Sequence, residues 1–278
     1  MRKLFYNFSP GKAAGPNNIS PHVLKELTVE VAPILTLIFQ SSVDTDSLPV
    51  DWKDVHVTPV FKKREQYDPA NYRPVSLTSV CCKVLEHILT ITIMDHLERN
   101  NILCSQQHEL RKKRAFKTQF LEFADELIEN GIIINMIVGI SGKKMMKNLA
   151  HGQEKNILIV DFAKAFSKVN HSLLIHKLNQ YGSQGEISRW ISDFLNNRRQ
   201  AVVVSGARSE FGSVQSGVPQ GGIRLGPCLF LIYINDLPET STAQTRIFAD
   251  DTAAYKVVTC PDDQTQLQDL NQLAEWEK

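Results

Sequence analysis

The chain has 278 residues, with 31 Lys and Arg against 30 Asp and Glu, 42% hydrophobic residues and 22% charged ones. That composition supplies a folded core and excludes wholesale disorder, and a net charge of +1 excludes a polybasic, histone-like binder. The longest apolar run, GIIINMIVGI at 131–140, falls well short of the roughly 20 residues a membrane span needs.

The neutral total hides a division. Residues 51–120 hold twelve basic and eight acidic side chains, whereas residues 231–278 hold three basic and nine acidic ones. A solvated face explains either segment taken alone. MRKLFYNFSP at the start has no apolar signal-peptide core, and the five cysteines form no C-x-x-C. Inert thiols in a reducing, intracellular setting (cytoplasm or nucleus, away from membranes) are the expectation.

In chain order, Ser20-Pro21 reads as an N-cap followed by proline at the first helical position. It opens an apolar-periodic run toward Phe39, with a break expected at Pro33. DVHVTPVF at 54–61 alternates as a strand, and residues 77–100 place Val80, Val84, Ile88, Ile91 and Leu97 at helical spacing. Residues 131–153 are compositionally odd and read as a loop or insertion. NILIV at 156–160 is a buried strand ending on Asp161. Helices are expected near 171–180, closed by Gly182, and over 185–197. RQAVVVSGARSEFGSVQSG then predicts two strands around a turn at Gly206 to Ser209. A buried helix follows over 225–237, then a hairpin over 245–258 with Asp250-Asp251 at its tip, and Asp262 as the cap of a last helix.

Three clusters have chemical potential. Asp161 and Asp250-Asp251 put carboxylates at strand ends, where neighbouring strands bring them together. Such hard oxygen donors suit Mg²⁺, and three of them can hold two ions about 3.5–4 Å apart to activate a hydroxyl and stabilise a leaving pyrophosphate. Taken alone, a turn pair or a helix cap explains the same aspartates. Gly217-Val218-Pro219-Gln220-Gly221-Gly222 allows close backbone approach to a ligand, or is a plain Gly/Pro loop. Lys62-Lys63-Arg64, Arg73 and Arg111 to Arg114 suit phosphates or a solvated surface. H-E-x-x-H, G-x-S-x-G and P-loop patterns do not occur, so metalloprotease, serine hydrolase and P-loop readings have no residues to rest on.

Taken in order, LPVDWKDVHVTPVFKKREQYDPANYRPVSLTSVCCKVLEHIL, ILIVDFAKAFSKVNHSLLIHKL, SGVPQGGIRLGPCLFLIYINDLP and IFADDTAAY resemble the reverse transcriptase of non-LTR, LINE-type retrotransposons, close to the jockey-like elements. The resemblance implies an α+β right-hand polymerase: residues 1–43 lead into the fingers, and 44–278 form fingers and palm, ending before a thumb. It implies an antiparallel palm sheet with packed helices. It implies two Mg²⁺ ions, with Mn²⁺ as a substitute, held by Asp161, the Phe162 carbonyl, Asp250 and Asp251. Lys62, Lys63 and Arg73 would contact the triphosphate of a dNTP, and Phe166 would exclude a ribose 2′-hydroxyl. Gln220 and Gly221 would lie against the incoming nucleotide and template. RNA template, DNA primer and dNTPs are the implied partners.

Departures from the pattern point to an alternative, a catalytically inactive remnant that binds nucleic acid weakly. Gly222-Ile223-Arg224 precede Leu225-Gly226-Pro227 with one residue too many, Ser167 replaces an aspartate, and Glu109-Leu110 stand where Gly-Phe is usual before Arg111.

Overall fold

A computed structural model of the chain describes residues 2–6, 9–62, 65–107, 110–111, 144–150, 153–161, 165–221, 224–240, 244–248 and 251–258. The chain is a mixed α+β protein whose contacts divide into two units, Met1–His96 with Phe166–Leu229, and Leu97–Ala165 with Phe230–Lys278.

The first unit opens on helices α1 (Arg2–Tyr6), α2 (Pro21–Glu26) and α3 (Thr28–Asp44). Ser20 caps α2 as expected, its hydroxyl accepting from the His22 N–H at 3.1 Å. The break falls at Leu27 rather than Pro33. Thr28 turns its hydroxyl back onto the Leu24 and Lys25 carbonyls and starts a new helix there. Pro33 sits within α3 on its exposed side, and Val29, whose carbonyl loses its helical partner, is exposed as well. Water can satisfy that carbonyl, so the proline is tolerated.

The buried stripe Ala32, Leu35 and Phe39 of α3 faces α7 (Glu186–Leu195), and the Trp190 Nε1–H donates to Ser42 Oγ at 2.9 Å. Trp190 and Phe194 stack with centroids 5.4 Å apart. A mixed sheet covers this helical layer. Strand β1 (Asp54–Phe61) pairs antiparallel with β2 (Tyr72–Leu77) and parallel with β5 (Arg199–Val204), and the short strands β6 (Ala207–Arg208) and β7 (Gly212–Ser213) pair with β5. The turn between β5 and β6 lies at Ser205-Gly206, earlier than expected. Both residues have positive φ (50° and 84°), the signature of a type I′ hairpin turn. At the start of β1, Lys53 donates to Asp193 of α7 at 2.7 Å, and Arg199 of β5 grips its register partner Asp54 with two hydrogen bonds at 2.9 and 2.7 Å. Helix α4 (Val80–Arg99) buries Val80, Val84 and Leu97 as expected, while Ile91 is exposed. Helices α5 (Ala165–Lys168) and α6 (His171–Gln180) precede α7, and Gly182 follows α6 at φ 78°.

The second unit contains a four-stranded antiparallel sheet in the order β3 (Lys144–Ala150), β4 (Gln153–Asp161), β9 (Asp251–Val258), β8 (Gln244–Phe248). Strand β3 corrects the loop reading of 131–153: residues 144–150 pair with β4 from Lys144↔Ile159 to Ala150↔Gln153. The apolar run NILIV is an interior strand. Helix α8 (Leu225–Tyr233) is shorter than expected, and a 3₁₀ turn over Leu237–Thr240 follows it. Asn235 clamps a neighbouring loop, accepting from the Cys104 N–H and donating to the Ile102 carbonyl, both at 2.9 Å. Asp262 and the helix expected after it lie outside the described residues. Among the described residues no helix is long and apolar enough to cross a membrane.

Candidate functional site

The sheet of the second unit carries one group of candidate residues. Strand β4 ends on Asp161, β9 begins on Asp251, and the two residues are register partners. Phe248, the last residue of β8, pairs with Asp251 from the other side. Directly opposed positions of an antiparallel ladder have Cα atoms about 4.5–5.5 Å apart, so two of the three predicted carboxylate positions meet at one end of one sheet. Carboxylate oxygen is the donor type that Mg²⁺ prefers, and a pair at adjacent strand ends fits that demand. Asp250 and Phe162 lie outside the described residues.

A separate group lies in the first unit. Lys62 and Arg73 stand at the loop end of the β1–β2 hairpin, where the Lys62 N–H donates to the Asn71 carbonyl at 2.8 Å and Arg73 pairs with Val60. Asp68 caps the connecting turn by accepting from the Ala70 N–H, and Phe61 and Tyr72 meet edge to face at 5.4 Å. Both cations are exposed and unpaired among the described residues; Lys63 lies outside them. The same strand carries the glycine loop: the Ser76 N–H donates to the Gln220 carbonyl at 2.7 Å. Gly221, at φ 116°, comes so close to β2 that a Cβ would stand 2.8 Å from Val75 Cγ1.

Phe166 is buried on α5, and its carbonyl accepts from the Val218 N–H at 2.7 Å. The Gly217 N–H donates to the Val169 carbonyl at 2.8 Å, and His171 Nε2 donates to the Gly217 carbonyl at 2.8 Å. The loop over 216–221 therefore ties α5 to β2, bringing Phe166, Gln220, Gly221 and the strand of Arg73 into one assembly. A cleft of about 300 Å³ opens beside it, lined in part by Ser76, Ser167, Arg198, Gln200 and Gln220.

Sequence reasoning missed several contributors. His171 gave no signal because a positioning hydrogen bond to a backbone carbonyl has no motif. Arg111 donates to the Cys104 and Gln107 carbonyls at 2.9 and 3.4 Å, which makes it a loop clamp rather than part of a basic patch. Burial raises the Cys81 thiol to about 11 and the Cys228 thiol to about 12, which agrees with inert cysteines. Glu86 of α4 and Arg198 are both buried, at 0% and 2% exposure, a burial invisible in the linear chain.

Burial pushes the Glu86 carboxyl up to about 7, against the opposing pull of the Arg198 charge and of hydrogen bonding from Cys82. In the unfolded chain the group ionises near its ordinary 4.5. Between these values the folded state binds more protons, so stability falls as pH rises through the window and stays lower above about 7. Glu86→Gln mimics the protonated form. Unfolding free energies from urea titration are expected to match wild type at about pH 4.5 and to exceed it at about pH 8.5, by on the order of a few kcal/mol.

Residues 61–277 match the family described as reverse transcriptase (RNA-dependent DNA polymerase), and the chain belongs to it. Among curated relatives it is 26% identical over 276 residues to the "Probable RNA-directed DNA polymerase from transposon X-element" of Drosophila melanogaster, covering 96% of this chain and 28% of that protein. It is 26% identical over 255 residues to the "RNA-directed DNA polymerase from mobile element jockey" of the same fly, covering 87% of this chain and 25% of that protein. A more distant element type also matches: the "Retrovirus-related Pol polyprotein from type-1 retrotransposable element R2" of Bradysia coprophila is 28% identical over 222 residues, covering 80% of this chain and 23% of that protein. The chain thus spans about a quarter of the length of these relatives.

Proposed function

We propose that the chain is the fingers-and-palm core of an RNA-directed DNA polymerase of a non-LTR retrotransposon, which extends a DNA primer on an RNA template. The observation that carries the proposal is the Asp161↔Asp251 register at the end of an antiparallel sheet. The primer 3′-hydroxyl oxygen attacks the α-phosphorus of a dNTP, a new P–O bond forms, the α–β anhydride bond breaks, and pyrophosphate leaves with its electron pair. Asp161, Asp250 and Asp251 are the carboxylates that would hold two Mg²⁺ ions, or Mn²⁺ in their place, with the Phe162 carbonyl as a further donor. Bound divalent metal supplies Lewis-acid stabilisation of the attacking and leaving oxygens. Lys62, Lys63 and Arg73 neutralise the triphosphate, and phosphoryl transfer depends mainly on such positioning and charge neutralisation. Phe166 sets the sugar preference from α5, and Gln220 and Gly221 align the nucleotide with the template.

Primer extension by the purified chain on an RNA template, with dNTPs and Mg²⁺ or Mn²⁺, tests the proposal. Template-dictated elongation that stalls when one dNTP is withheld is the expected result. Folded chain that extends nothing with either metal would falsify it and favour the inactive remnant, to which the extra residue among Gly222, Ile223 and Arg224 points.

A further inference from the structure

Arg198 is costly in its present place. A guanidinium with 2% exposure has given up most of its hydration, and burying such a charge destabilises a fold unless something compensates. Its contacts leave the guanidinium incompletely used. Nη1 donates to the Phe194 carbonyl at 3.2 Å, and the guanidinium lies 4.5 Å over the Phe194 ring. Nη2 has no partner. Glu86, a carboxylate whose charge acts on Arg198, does not take it: Oε1 accepts from the Cys82 thiol, and Oε2 has no partner among the described residues. A buried arginine with a spare donor, backed but not hydrogen-bonded by an acid, is the arrangement of a binding group rather than of a structural ion pair.

The same residue lines the 300 Å³ cleft between β1, β2, β5 and the glycine loop. Its polar neighbours there include Gln200, Ser213, Gln215, Ser216 and Gln220, all uncharged, and among the described residues no carboxylate lines the cleft. The site therefore offers one positive charge and several neutral donors. A nucleoside triphosphate carries several negative charges that a single guanidinium does not balance. A phosphodiester carries one.

We infer that the cleft holds one phosphodiester of a nucleic-acid strand, with Arg198 as the residue that contacts it. Glu86 acts behind Arg198 as a positioning group. The inference rests on the polymerase reading for the identity of the strand, as RNA template or DNA primer, and the phosphodiester is common to both.

The test measures binding of a short single-stranded RNA and its DNA counterpart to the full chain by fluorescence anisotropy across a salt series. Each phosphate contact contributes about 0.7 to the slope of log K against log salt for a single strand. Arg198→Met is expected to lower low-salt affinity by roughly tenfold and to reduce that slope by about 0.7, whereas Arg198→Lys keeps the slope. Should Arg198→Met lose its cooperative melt, Glu86→Gln/Arg198→Met, which removes the uncompensated acid as well, carries the same measurement. Loss on only one of the two strands identifies the one that occupies the cleft.

An unchanged slope in a folded variant overturns the inference, because contacts to bases or packing alone leave it untouched. Wild-type chain without salt-dependent binding overturns it too. The polymerase reading is scored separately by primer extension. Wild type that extends while Arg198→Met keeps its slope sinks the phosphate site alone. A reduced slope in a chain that never extends sinks the polymerase alone.

Discussion

Asp161→Asn lowers primer extension by roughly 10³-fold, about 4 kcal/mol of barrier, while the folded chain and its nucleic-acid affinity persist. The substitution keeps the side-chain volume and removes the charge. Asp161 is held in β4 by backbone pairing with Asp251, and asparagine leaves those backbone groups in place. What disappears is one carboxylate of the proposed set, so a divalent metal held there would lose a ligand that an amide oxygen replaces poorly. Wild type and variant are compared in single-turnover extension at saturating primer-template, so that a binding defect does not pass for a chemical one. Extension within threefold of wild type would remove Asp161 from the reaction. The same substitution at Asp250 tests the third member of the proposed carboxylate set.

Much of this site was legible because its signals are local. Strand β1 was read with its observed ends from the alternation of Val55 and Val57, and the end of β4 on Asp161 followed from an apolar run that stops at a carboxylate. The order of motifs then brings Asp161, Asp250 and Asp251 into one expected set, of which the ladder register pairs Asp161 with Asp251. What escaped the reading is non-local. Strand β3, KMMKNLA, has neither alternation nor an apolar run. It lies at the sheet edge, where Lys144 and Lys147 suit a strand that must not pair further, and β4 supplies its partner. The parallel pairing of β1 with β5 leaves no trace in either strand alone. Glu86 and Arg198 each look like ordinary surface charges until the fold buries them. Pro33 misled because its penalty depends on whether the orphaned carbonyl meets water, and at Val29 it does.

Gly226→Ala is expected to cost about 3 kcal/mol and to lower the melting temperature by roughly 6–12 °C. A Cβ added at Gly226, the second residue of α8, would stand 1.9 Å from the Pro219 carbonyl oxygen. Neither side can yield cheaply. Leu225, Cys228 and Leu229 of α8 are fully buried, so the helix is confined by its own packing. Pro219 is fixed from both directions: the Val218 N–H is bound to the Phe166 carbonyl at 2.7 Å, and the Gln220 carbonyl to the Ser76 N–H at 2.7 Å. Gly217 upstream has φ 87° and backbone atoms of Phe166 and Ser167 within 2.8 Å of an added Cβ, so it cannot absorb the shift. The displacement must therefore reach Gln220, and a movement near 1 Å at a group that aligns a reacting nucleotide costs about 10²-fold in rate. Gly212→Ala provides the contrast, since nothing lies within 4 Å of its added Cβ and its effect should stay within about 0.5 kcal/mol. Thermal melts of the two variants test the clash, and extension rates normalised to folded protein test its consequence. A Gly226→Ala chain that melts early yet extends at the wild-type rate per folded molecule would show that the loop braces the fold without aligning the nucleotide.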